Sequence, residues 1–93
     1  MTAADATQAE FDKALAFHQQ GKLGEAELIY RAILQQHPRH ADALHNLGVM
    51  QAQRQNLVEA AELMGRATEI DPGNATIHSN RGNVLVALKR HED

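Results

Sequence analysis

The chain has 93 residues, 43% of them hydrophobic and 23% charged, with no cysteine and a net charge of −3. That is the size and balance of one small folded domain, not of a disordered segment. The lack of cysteine excludes disulfides, thiolate metal sites and a thiol nucleophile, and the acidic balance gives no basic footprint for nucleic acid or anionic lipid.

Taken in chain order, the pattern predicts five helices. The first covers about residues 7–20, where Phe11, Ala14, Leu15 and Phe17 recur at helix spacing. Thr7 and Glu10 stand three apart, as in a capping box, and Gly21 can end the helix in a left-handed conformation. The second covers about 24–36, within "EAELIYRAIL", and Pro38 closes it. The third, about 41–53, carries Leu44, Leu47 and Gly48 behind His40, a poor N-cap. The fourth, about 57–70, lies in "EAAELMGRATEI" and ends before Pro72. The fifth, about 75–89, starts behind Asn74, a good N-cap. No stretch alternates convincingly with period two, so no sheet is expected. Aromatics make up 3%, which leaves the core mainly to Leu, Ile, Val, Ala and Met.

The chain repeats itself at an offset of 34: Asn46 matches Asn80, Gly48 matches Gly82, Pro38 matches Pro72, and Leu23, Glu25 and Ala26 match Leu57, Glu59 and Ala60. A fixed period of roughly 20–50 residues is the mark of stacked repeats. Two helices per period make each unit a hairpin. Gly48 and Ala60 fall where the helices of one hairpin cross, and small residues there let the backbones approach while Leu44, Leu47, Leu63 and Met64 fill the flanks. At the turns between paired helices Gly21 supplies glycine, whereas Gln55 and Lys89 occupy the equivalent places.

This arrangement resembles the tetratricopeptide repeat. The family pattern is met by Leu44, Leu47, Gly48, Ala60, Met64, Ala67 and Pro72, and more loosely by Ala14, Ala26, Tyr30, Ile33 and Pro38. The resemblance implies an all-α solenoid of antiparallel hairpins, about two and a half repeats in a single domain over 1–93, with units at about 7–40, 41–74 and a partial 75–93. The wording "DALHNLGV" and "NATIHSNRGNVL" is similar to the repeats of O-linked N-acetylglucosamine transferase-type proteins.

Signatures of catalysis are absent: there is no P-loop, dinucleotide turn, nucleophile elbow or His-Glu-x-x-His. His37, His40 and His45 read as turn and helix histidines, since a metal site needs three or four converging ligands. No enzyme activity, metal or cofactor is expected. With no apolar run near the roughly 20 residues of a membrane span and no basic-then-apolar start, the expected compartment is the cytoplasm.

In the family the first helix of each unit lines a concave groove. The resemblance therefore puts Asp12, Asp42, His45, Asn46, Val49, Gln53, Asn80 and Asn83 in a peptide-binding groove, together with Gln8, Leu15 and Gln19. A carboxamide has two donors and an acceptor, which suits the backbone of an extended peptide. The other reading is that Asn46 and Asn80 pair with a neighbouring helix or water. None of these positions is Lys or Arg, so nothing is set to clamp a peptide's terminal carboxylate. The expected function is a non-enzymatic protein–protein interaction module that binds an extended, neutral or mildly basic segment. One alternative is a fragment of the recognition arm of a glycosyltransferase-like enzyme. Another is a homodimer through the last helix, using Val84, Leu85 and Leu88 with Arg81 at the rim. Arg81 stands where the second unit has Leu47, and it is expected to have nothing to pack against.

Overall fold

The computed structural model describes residues 2–92. It contains α1 (Ala3–Gln19), α2 (Leu23–Gln36), α3 (Ala41–Gln53), α4 (Leu57–Ile70) and α5 (Ala75–Glu92), with no strand among the described residues. The expected end of the third unit at Asp93 lies outside them. Each helix packs on the next, and α1, α3 and α5 also touch in succession. The result is an elongated stack of 50 × 28 × 20 Å, as expected when each unit contacts only its neighbours.

Two helix ends differ from the sequence reading. α1 begins at Ala3 instead of residue 7, because the capping box is formed by Thr2 and Asp5. Thr2 Oγ1 accepts from Asp5 N at 3.1 Å, and Asp5 Oδ2 accepts from Thr2 N at 3.2 Å. Thr7 lies inside the helix, its hydroxyl donating to Ala3 O at 3.0 Å. The alanines at 3, 4 and 6 carry no apolar period but are the strongest helix formers, so they extend the helix without announcing it. α5 runs on through Lys89 to Glu92, so Lys89 occupies no turn. His40, a poor N-cap by residue type, caps α3 nevertheless: its Nδ1 accepts from Ala43 N at 3.0 Å, and its ring lies 5.4 Å from that of Phe11. Asn74 caps α5 as expected, Oδ1 accepting from Ile77 N at 3.2 Å.

The two hairpin turns use the left-handed conformation, with φ of +78° at Gly21 and +66° at Gln55. Glycine adopts it freely, whereas a residue with a Cβ is strained there. The crossing of α3 and α4 is as tight as the small residues imply. A Cβ built on Gly48 would stand 2.9 Å from Met64 Cγ and 3.3 Å from Ala60 O. Ala14 and Ala26 are fully buried at the equivalent places of the first hairpin. Around these crossings a larger apolar cluster joins Phe11, Tyr30, Ile33, Leu44, Leu47, Met50, Leu63 and Ile77. A smaller one joins Leu57, Ala60, Met64 and Val84.

Polar residues tie the two hairpins together. Arg54 Nη1 donates to Glu27 Oε1 at 2.7 Å, and Arg31 donates to Glu27 at 2.9 Å and to Glu59 at 2.8 Å. Gln51, 2% exposed, donates to Glu59 Oε2 at 3.0 Å and accepts from Asn56 Nδ2 at 3.2 Å. The bonds from Arg54 and Arg31 hold the Glu27 carboxyl below the usual carboxylate range, against the opposing effect of burial. Such pairs are individually weak when exposed, but they join α2, α3 and α4 in one arrangement.

Arg81 is half-buried and does pack. Its Nε lies 3.7 Å from where a Gly65 Cβ would stand, so the guanidinium lies across α4 of the preceding unit. Gly65 occupies the register position of Arg31, 34 residues earlier, just as Arg81 occupies that of Leu47. The first pair of units thus has arginine on the second helix and leucine on the next first helix. The second pair has glycine and arginine, and the space vacated on α4 is taken from α5.

Gly48→Val adds bulk against a backbone carbonyl that cannot move aside as Met64 can, and it should destabilise by about 1–3 kcal/mol in chemical denaturation. Gln55→Gly removes a Cβ from the left-handed position and should stabilise by about 0.5–1 kcal/mol on the same measurement.

Candidate functional site

The first helices of successive units, α1, α3 and α5, form one face, and two histidine–carboxamide pairs link them across it. His18 on α1 lies 2.9 Å from Gln53 Oε1 on α3, its Nε2–H donating to the carbonyl oxygen. His45 on α3 lies 2.8 Å from Asn80 Nδ2 on α5, the amide donating to the unprotonated Nε2 of a neutral imidazole. Both pairs join residues 35 apart. Burial pushes the His45 imidazole below its ordinary value of 6.5, partly countered by the nearby Asp42 carboxylate. The downward shift favours the neutral ring, the form that accepts from Asn80.

Beside the second pair, Val49, Ala52, Gln53, Met64, Asn80, Asn83 and Val84 line a cleft of about 290 Å³ between α3 and α5. Helix spacing explains the lining: 49, 52 and 53 fall on one side of α3, and 80, 83 and 84 on the facing side of α5. Met64 of α4 forms part of the wall. Its composition is apolar at the base with carboxamides at the edges, the mixture common in ligand clefts.

Four of the sequence-derived groove residues, Val49, Gln53, Asn80 and Asn83, therefore meet in one cleft, with His45 joined to it through Asn80. Asn46 does not line it: its Nδ2 donates to Asp42 O, one turn back, at 2.8 Å. Asp42 is exposed and acts on this face through its charge near His45. Asp12 lies on α1 and accepts from Gln8 at 2.9 Å, outside the cleft. Asn80 bonds to a neighbouring first helix, and Asn46 within its own helix. Ala52, Met64 and Val84 were missed as cleft residues. The i, i+3, i+4 spacing from Val49 and Asn80 points to Ala52 and Val84, whereas Met64 looks like core alone.

The residues expected to mediate self-association divide between two faces. Val84 is 6% exposed in the cluster with Met64, and Leu88 packs half-buried against the same cluster. Leu85 is 45% and Val86 52% exposed on the opposite side. No helix among the described residues is long and apolar enough to cross a membrane, and among those residues no group of three or more His, Asp or Glu is placed to hold a metal.

Known proteins share this architecture. The family model for the tetratricopeptide repeat matches residues 3–38 and 11–75. A solved structure of a mutant O-GlcNAc transferase from Thermobaculum terrenum superposes with a TM-score of 0.87 at 38% identity, over 94% of this chain and 17% of that one. A peroxisomal targeting signal receptor from Yarrowia lipolytica is 35% identical over 60 residues, 64% of this chain. One from Komagataella phaffii is 38% identical over 53 residues, 57% of this chain. The chain spans 10% and 9% of the length of these two receptors. A family model that spans both complete hairpins, with a match of this quality to a solved helical array, assigns the fold: the chain belongs to the tetratricopeptide repeat family, whose hairpin arrays are protein-interaction modules.

Proposed function

We propose that this chain binds an extended peptide segment, neutral or mildly basic, along the face formed by α1, α3 and α5. The observation that carries the reading is the cleft of about 290 Å³ edged by Gln53, Asn80 and Asn83. Carboxamides can satisfy peptide N–H and C=O groups together, so the backbone is held with little reading of side chains. Asp12 on α1 and Asp42 on α3, both exposed, give these helices an acidic cast, which favours a basic segment and disfavours an acidic one. A contact confined to two complete hairpins and one further helix is small, so a single copy binds weakly, with Kd of about micromolar order.

The likeness to the O-GlcNAc transferase and the targeting signal receptors supports the same reading. In a longer polypeptide, a segment like this one would serve as part of a recognition arm beside a catalytic or receptor region. The chain itself contributes binding and no chemistry of its own. A soluble, cytoplasmic setting fits such a role.

Asn83 is exposed at the cleft and makes no side-chain hydrogen bond among the described residues, which makes it the cleanest test. Peptides selected from a random display library on the wild-type chain should be extended and poor in acidic residues. Asn83→Ala should weaken them about three- to tenfold in fluorescence polarisation, with the melting temperature unchanged. Retention of full affinity by Asn83→Ala, or selection of acidic sequences, contradicts the reading. Asn80→Ala behaves differently, because it leaves half-buried His45 without its donor: it should destabilise by about 1 kcal/mol as well as weaken binding.

The His45–Asn80 pair also predicts a pH dependence. The folded state holds the His45 pKa below its unfolded value of 6.5. Its contribution to stability is therefore complete above that value and declines as pH falls through the folded pKa. Wild type should melt lower at about pH 5 than at about pH 7.5, and His45→Gln, which keeps a partner for Asn80 but does not titrate, should reduce that difference.

A further inference from the structure

Two of the carboxamides at the edge of the cleft are already half used, and at opposite ends of the amide. Gln53 gives its carbonyl oxygen to His18 at 2.9 Å, whereas Asn80 gives its Nδ2 to His45 at 2.8 Å. Gln53 Nε2 and Asn80 Oδ1 are left without a hydrogen bond among the described residues. Gln53 stands on the α3 wall and Asn80 on the α5 wall. The cleft therefore offers a donor from one side and an acceptor from the other.

Each orientation is set by a histidine. The His18 ring stands edge-on to Tyr30, with 6.3 Å between centroids, and its Nδ1 is buried without a partner. A buried N–H with no acceptor is costlier than an unfilled lone pair, so the His18 proton belongs on Nε2. An Nε2–H can be met only by the oxygen of Gln53, which turns the Gln53 NH2 outward. His45 does the reverse: its Nε2 lone pair takes an amide proton of Asn80, which leaves Oδ1 outward. One unit earlier, Phe11 stands in the place of His45 and has no lone pair to give. Asn46, the equivalent of Asn80, bonds instead within its own helix to Asp42 O. The turn of Asn80 thus comes from the histidine and not from the repeat. We propose that His18 and His45 are positioning residues that set the polarity of the peptide cleft, so that Gln53 donates to a carbonyl of the bound segment and Asn80 accepts one of its N–H groups. This rests on the peptide-binding reading and adds a requirement on the ligand: the residue facing Asn80 keeps its N–H and is neither proline nor N-alkylated.

The probe is a fluorescein-labelled peptide selected by display on the wild-type chain, with analogues in which one backbone N–H at a time is replaced by an ester oxygen. On the wild type at least one ester should weaken binding about tenfold in fluorescence polarisation. His45→Gln still offers an acceptor to Asn80 Nδ2 and should keep that ester's penalty. His45→Lys offers only donors, turns Asn80 Oδ1 toward itself, and should abolish the penalty. Gln53→Glu and Asn80→Asp each add one negative charge at the same cleft, so charge alone affects them alike. Gln53→Glu loses the donor, whereas Asn80→Asp keeps an acceptor, and Gln53→Glu should bind at least about tenfold more weakly than Asn80→Asp. Circular dichroism is recorded first, and if His45→Lys does not fold, the two isosteric variants decide. Three results overturn the proposal: no ester penalty in the wild type, a penalty that folded His45→Lys retains, or Gln53→Glu binding as tightly as Asn80→Asp or tighter. If Asn83→Ala still weakens the peptide in those cases, the cleft reading stands and the polarity alone is lost; if it does not, both fall.

Discussion

The close approach of paired helices at one small residue organises the whole molecule. At Gly48 the backbone of α3 meets the carbonyl of Ala60 with no room for a Cβ, and Ala14 and Ala26 are fully buried at the same register in the first hairpin. Once that distance is set, the flanking leucines, Tyr30 and Met64 have only one way to interdigitate. Each hairpin then presents its first helix to the same side, and the spacing of α1, α3 and α5 follows. The cleft between α3 and α5 is therefore a product of core packing: Val49 and Val84 can form its base because Gly48 and Ala60 hold α4 behind them.

On this frame, the junctions between units use different chemistry. Between the first and second hairpins, Glu27, Arg31, Gln51, Arg54 and Glu59 share charges and carboxamides around a leucine at 47. Between α4 and α5 the same register holds Gly65 and Arg81, and the long side chain of one helix covers the bare backbone of the other. The guanidinium itself lies against Gly65, and its Nε is buried there without a hydrogen-bond partner among the described residues. Histidine–carboxamide pairs, His18 with Gln53 and His45 with Asn80, then join neighbouring first helices on the face formed by α1, α3 and α5. Using donors for this purpose reduces what the same side chains can offer a ligand, and Asn83 is left as the carboxamide at the cleft without such a bond among the described residues.

The repeat, the helix number, the crossing glycine and the left-handed turn at Gly21 were legible in the sequence because each depends on local conformation or on the period itself, whereas Gln55 takes the same conformation without the glycine that would signal it. What escaped depends on contacts made across space. α1 starts at Ala3 because Thr2 and Asp5 cap it, and no apolar period marks that turn. His40 caps with an imidazole nitrogen, a role its residue type does not advertise. Arg81 looked unsupported because its partner is an absence, the missing side chain of Gly65 on another helix. The bond between Asn80 and His45 joins residues on neighbouring units, and no local signal pairs them. Val84 and Leu88 could not be separated from Leu85 by hydropathy alone, since all three are apolar and only the position of α4 distinguishes their faces.

The proposed role requires the face between α3 and α5 to receive a peptide. Backbone amide chemical-shift mapping of the ¹⁵N-labelled chain with a display-selected peptide tests it most directly, because it locates contact without any mutation. Binding in the cleft should concentrate the shifts at Val49, Gln53, Asn80 and Asn83, with little change along the outer surfaces of α2 and α4. Shifts confined to Leu28, Val58 and their neighbours on those outer helices, with the cleft residues unmoved, would contradict it.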